Sequence, residues 1–158
     1  MAWEYLKFFH IVFVLTFFSG TIVSMMTGIA AAKAKSIESV AILTGIAARA
    51  AKFVTIPSFI LVGIFGVLTA SEQNLDLTGT GWLNAAYVAS ILGFILGLAV
   101  LTRHGAKAAK LAARDAQAGK KSEGLEKELN APLPKIVGPL LHLLVAYIIV
   151  LMVFQPYD

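Results

Sequence analysis

The chain contains no cysteine. Disulfides, thiolate metal sites and cysteine nucleophiles are therefore excluded, although nothing follows about redox compartment. Charge is also scarce: Asp, Glu, Lys and Arg make up 14% of the 158 residues, against about one quarter in an average soluble domain. The long apolar runs hold no charged residue at all. They therefore lack the mid-membrane carboxylates on which proton-driven pumps rely, and they offer no polar path for a channel. No His-Glu-x-x-His pair and no glycine-rich phosphate loop occurs, so the usual signatures of metal hydrolysis and nucleotide chemistry are missing.

What is present is hydrocarbon. Hydrophobic residues make up 58% of the chain, the mean hydropathy is +0.81, and four apolar stretches dominate: Phe8–Ile29, Phe53–Ala70, Trp82–Leu101 and Ile136–Phe154. Each is close to the roughly 20 residues, at about 1.5 Å per residue, that a helix needs to cross a bilayer. Unpaired backbone groups are costly in lipid, so a span is a helix or part of a closed barrel. Barrel strands are shorter and alternate in polarity. The expected fold is all-α: a polytopic membrane protein forming an antiparallel four-helix transmembrane bundle, with residues 1–158 as a single transmembrane domain. Lys7 ahead of the first run imitates a signal peptide. The run continues too far and no clean Ala-x-Ala site follows, so an uncleaved first span is expected. Pro57 is predicted to kink the second span or to shift its start.

The connections carry the charge. Lys33, Lys35, Arg49 and Lys52 against Glu38 lie between spans one and two. Only Glu72 and Asp76 lie between spans two and three. Seven basic residues from Arg103 to Lys127, against Asp115, Glu123, Glu126 and Glu128, lie between spans three and four. The excess of Lys and Arg in cytoplasmic connections places both basic segments inside and both termini outside, in a multi-pass protein of the cell inner membrane or plasma membrane. The net charge of +4 and a pI near 9.4 are then explained by topology, without nucleic acid. Trp3, Tyr5, Trp82, Tyr87 and Tyr157 fit an aromatic belt at the exterior interface, and Asn74–Gly81 fits an exterior turn. Ser36–Ala51 is either an interfacial helix or an early start to span two. Ala106–Ala118 is alanine-rich, with Lys107, Lys110 and Arg114 about a turn apart. It predicts a helical cytoplasmic extension of span three over 102–118, its basic side chains near anionic headgroups. Gly119–Lys135 is mostly polar and is expected to form the connection into span four.

Helices in lipid associate where small residues allow close approach. Ala85, Ala89, Gly93 and Gly97 form such a line on span three, Gly20, Ser24 and Gly28 on span one, and span two adds Gly63 and Gly66. His10 lies within about 40° of Phe17, Thr21, Ser24 and Gly28 on a helix at roughly 100° per residue. His142 lies in line with Gly138 and Ala146. An ionisable residue at membrane depth is a functional candidate by default. Each histidine can be satisfied by a hydroxyl or carbonyl in a structural role, or can serve as an axial ligand to heme b. His10 and His142 are thus the candidate metal ligands. Arg49 and Lys52 are either interfacial anchors or partners for heme propionates. Depths differing by very roughly 10–15 Å disfavour one iron shared by both histidines, whose ligating nitrogens would have to stand about 4 Å apart. His104 is expected to be a boundary residue. Met25, Met26 and Met152 offer thioethers for copper but do not converge.

The opening from Trp3-Glu4-Tyr5-Leu6-Lys7-Phe8-Phe9-His10 to Phe17-Phe18-Ser19-Gly20 resembles the first span of the HemJ-type protoporphyrinogen oxidases, of CopD-like membrane proteins and of a related uncharacterised four-span family. Thr55-Ile56-Pro57, Gly81-Trp82-Leu83 and Leu151-Met152-Val153-Phe154-Gln155-Pro156 resemble the uncharacterised family most. The resemblance implies that His10 matches the heme-ligating histidine of the HemJ type. The basic and aromatic residues of that enzyme's later spans have no counterpart here, so heme binding is implied better than porphyrinogen oxidation. The expected function is that of a small integral membrane protein binding heme b, with an electron-transfer or heme-handling role. The alternative is a cofactor-free structural or accessory subunit. The expected partners are membrane lipids and a larger membrane complex or further copies of the chain.

Overall fold

A computed structural model describes residues 2–156, so Tyr157 lies outside the described residues. Five helices account for almost all of them: α1 (Ala2–Lys33), α2 (Ile37–Glu72) and α3 (Gly81–Ala118), α4 (Glu123–Leu129) and α5 (Pro132–Phe154). Four helical stretches are long and apolar enough to cross a membrane. The chain is an all-α, four-helix membrane-spanning bundle, as its apolar runs require.

The helices outrun those runs. Ser36–Ala51 is not a separate interfacial helix; it opens α2, which begins at an N-cap where Ser36 Oγ accepts the Ser39 N–H at 3.1 Å. Pro57 neither ends α2 nor begins it. A π-turn over Ala51–Thr55 precedes it, in which the Ile56 N–H donates to the Ala51 carbonyl five residues back. The proline ring would collide with the carbonyl four residues before it, and the wider turn is a known way to accommodate such a misfit within a continuous helix. A second π-segment, Gly97–Thr102, interrupts α3. As its alanines predict, α3 continues to Ala118, where Gly119 closes it in the left-handed conformation at φ +64°. The connection after Gly119 holds a helix the composition obscured: Ser122 caps α4, accepting the Leu125 N–H at 3.3 Å. The Leu125 and Leu129 spacing was its available signal.

α1 packs along α2, and the Gly81–Thr102 part of α3 packs against α5. Near the middle, Phe59 of α2 stacks on Phe94 of α3, with centroids 4.8 Å apart and planes 6° apart. Phe65 meets Phe9 and Phe13, and Phe17 meets Phe59, extending the aromatic contact along the α1–α2 seam. The two ends have small cores. At the end carrying the basic connections, Ile37 and Val40 of α2 pack with Ala108 and Ala112 of α3 and Leu125 of α4. At the opposite end, Ala70, Trp82, Leu83, Ala86 and Leu151 form a second cluster. Trp82 is only 4% exposed, so it is a packing residue here rather than an interfacial girdle residue. The small side chains of Ala70 and Ala86 leave room for its indole. Trp3 and Tyr5 are exposed, and Tyr87 is half-buried.

The small-residue lines divide by use. A Cβ built on Gly93 would fall 3.0 Å from Leu144 Cδ2, and one on Gly97 3.8 Å from Leu141 Cδ1, so this line receives the leucines of α5. Gly20 is buried against Thr55 of the π-turn, and Ser24 Oγ donates to the Ala47 carbonyl at 3.3 Å. Gly28 and Gly63 have nothing within 4 Å of a built Cβ, so those two positions lie off the helix contacts.

Candidate functional site

Among the described residues, the one inter-helical hydrogen bond from a histidine at membrane depth is made by His10. Its Nδ1 lies 2.9 Å from the Val62 carbonyl of α2. A carbonyl only accepts, so Nδ1 carries the proton and donates, and in the neutral ring Nε2 presents its lone pair. Gly66, one turn further along α2, makes this seat available. A Cβ there would fall 3.1 Å from His10 Cε1 and 3.2 Å from Nδ1. The pair Val62–Gly66 therefore forms a backbone cradle for the imidazole. Phe9, Phe13 and Phe65 pack beside it along the same seam.

His142 is placed differently. Its Nδ1 donates to the Gly138 carbonyl of its own helix at 2.8 Å, and the residue is exposed. This bond to the residue four positions back satisfies one ring nitrogen within α5 alone. The two histidines are not brought together. Leu141, next to His142, meets the Gly93–Gly97 line of α3, level with the Phe59–Phe94 stack. Val62 and Gly66 lie about 5–10 Å further along α2, and α1 and α5 share no substantial interface. One iron held by both histidines does not fit this arrangement. Among the described residues no group of three or more His, Asp or Glu side chains is clustered as a metal site would need.

Arg49 and Lys52 are exposed on α2. The Arg49 guanidinium folds back toward Gly45, with Nη2 3.8 Å from a Cβ built there, and Lys52 Nζ lies 5.2 Å from the Phe53 ring centroid. Val62 is about 15–20 Å further along α2 than these two residues. They stand apart from the His10 cradle along the length of α2.

A second polar constellation lies at the basic end and was not anticipated. Glu128 accepts from His104 Nδ1 at 2.7 Å and from Lys107. His104 is thus hydrogen-bonded to α4 rather than a bare boundary residue. The Lys107 ammonium, and then His104, hold the Glu128 carboxyl below its usual range. Asp115 is buried among α3 and the α3–α4 turn, where Oδ2 accepts the Ser122 hydroxyl at 2.6 Å and the Ser122 N–H at 2.7 Å. These bonds, with Arg114 Nη2 at 3.2 Å, lower its carboxyl. Every carboxylate here is answered by a donor on a neighbouring turn or helix, so the constellation fastens α4 to α3. The signal available in the sequence was the pairing of Asp115 with a Ser seven residues on, which only the turn at Gly119 brings into reach.

The family model described as "Predicted integral membrane protein (DUF2269)" matches residues 4–156. The chain belongs to this family. Membership of DUF2269 accounts for the multi-pass architecture over nearly the whole chain and specifies no chemistry for the His10 cradle. No curated protein and no solved structure matches the chain.

Proposed function

We propose that this member of the DUF2269 family is a structural or accessory subunit of a larger membrane assembly, with His10 acting as a fastener between α1 and α2. The observation that carries this reading is the Nδ1–Val62 bond over the Gly66 cradle, which gives the imidazole a structural task. Hydrogen bonds between membrane helices contribute about 0.6 kcal/mol on average, with a maximum near 1.7. The apolar faces of the four spans, largely exposed to their surroundings, are available for lipid and for neighbouring subunits.

A second reading is supported by the same bond. A ligating histidine usually donates its other ring nitrogen to a carbonyl or carboxylate, which fixes the tautomer. His10 meets that condition, and its neighbourhood resembles the first span of the HemJ-type and CopD-like proteins. Under this reading His10 holds heme b through Nε2, with an electron-transfer or heme-handling role. The second axial position would come from a group other than His142. An absorption spectrum of the protein expressed with heme available, before and after dithionite, separates the two. The accessory reading expects no Soret band in enriched native membranes, and His10→Ala should lower stability by about 1 kcal/mol without a spectral change. A stoichiometric Soret band lost in His10→Ala and kept in His142→Ala would replace the accessory reading with the heme reading.

We also propose that the basic end faces the cytoplasm, in an inner or plasma membrane, with both termini outside. The clustering of Lys33, Lys35, Lys110, Lys120 and Lys121 at one end supports this. Asn74→Cys should label from outside intact cells with an impermeant maleimide, and Lys120→Cys should label only after lysis. The reverse pattern would invert the orientation.

A further inference from the structure

Arg49 and Lys52 sit where cations are hard to explain. The Ser24–Ala47 bond and the Gly20–Thr55 contact place them level with residues 20–24 of α1. That level is inside the apolar run of α1, whose exposed side chains continue beyond it at Met25, Met26 and Ile29. On α2 the exposed Ile42 and Ile46 lie on the same side of this level. Two positive charges are therefore flanked by hydrocarbon-seeking surface both above and below. Among the described residues neither pairs with a carboxylate, whereas Lys107 and Arg114 each do. The Arg49 side chain turns back over Gly45, toward the basic end, as a snorkelling side chain does. In a low-dielectric boundary an uncompensated pair of cations one turn apart draws an anion to itself.

We propose that Arg49 and Lys52 form a binding site for the phosphate of an anionic membrane phospholipid. Its acyl chains lie along Phe53, Ile60 and Ile64, which are exposed on α2 at intervals of seven and four and run from the cations toward the opposite end of the bundle. The arginine fork takes two phosphate oxygens, and the lysine, held over the Phe53 ring, supplies a second charge. The anion is a lipid phosphate because it must arrive at a level where only lipid brings phosphate next to apolar surface.

The test is native mass spectrometry of the full-length protein in mild detergent, titrated with dioleoylphosphatidylglycerol or dioleoylphosphatidylcholine. Phosphatidylglycerol should be retained over phosphatidylcholine. The double variant Arg49→Gln/Lys52→Gln should bind it about thirtyfold more weakly, while Lys110→Gln/Lys120→Gln should match the unmodified protein. Retention unchanged in the first variant, or lost equally in the second, would overturn the site. Inorganic phosphate at matched concentration should leave no adduct; an adduct of equal occupancy would assign the site to a free anion instead. If the double variant fails to fold, Ile46→Glu, which sets a carboxylate one turn from Arg49, should reduce phosphatidylglycerol retention. Retention unaffected by that change would equally refute the proposal.

Discussion

Gly20→Val should loosen the α1–α2 pair and cost about 1–3 kcal/mol, the usual range for overpacking a tight contact. A Cβ at Gly20 would lie 2.5 Å from Thr55 Oγ1, 3.1 Å from the Thr55 nitrogen and 3.1 Å from Val54 Cγ1. One of these neighbours is backbone in the π-turn, so a rotamer change cannot clear the space. Gly28→Val is the matched control. It introduces the same side chain with the same change in helix propensity, but nothing lies within 4 Å of its Cβ. Unfolding of both variants in mixed micelles, followed by helical circular dichroism, should show a loss at Gly20 well in excess of that at Gly28. Equal losses would mean that the close approach at Gly20 does not explain the result.

Leu125→Ala should be at least as damaging at the other end of the molecule. Leu125 is fully buried, sealed between α4 and the Ile37, Val40, Ala108 and Ala112 faces of α2 and α3. Truncating a buried leucine costs about 2–5 kcal/mol, according to how far the site collapses around the cavity. The cost should be local. Hydrogen exchange should accelerate over Arg103–Leu129, and trypsin should cut sooner after Lys120 and Lys121, while α1 and α5 keep their protection. Uniform loss across all helices would show that the basic end does not form a separable unit. No change at all would mean that α4 is not held by this contact.

Much of the fold was legible in the residues because the bilayer leaves few alternatives. An uncharged apolar run of about 20 residues can be satisfied only as a helix, and a line such as Ala89, Gly93 and Gly97 is useful only where another helix comes close. What stayed hidden depended on context. Arg49 and Lys52 made the start of α2 look like a connection, since the side chains of an Arg or Lys can bend away while the backbone continues. Pro57 read as a kink or a shifted start because a π-turn that absorbs it has no residue signature. The cradle of His10 was half visible: Gly66 could be marked as a place of close approach, but the Val62 carbonyl that accepts the proton belongs to the backbone and leaves no trace in the side-chain sequence. The packing of Trp82 was not legible, because an indole that anchors in headgroups and one that fills a gap beside alanine are the same letter in the same position.

The two π-segments lie opposite one another. Counting along the antiparallel helices from the Phe59–Phe94 stack, Ala51–Thr55 and Gly97–Thr102 fall at a common level. Each wide turn inserts an extra residue and rotates everything beyond it by roughly a quarter-circle or more relative to an unbroken α-helix. The faces that α2 and α3 show each other near Ile37, Val40, Ala108 and Ala112 are thus out of phase with the faces they turn to α1 and α5 within the apolar runs. The paired insertions work as a splice between two differently indexed bundles. Residues on one side of the splice can change their spacing or their partners without forcing a compensating change on the other.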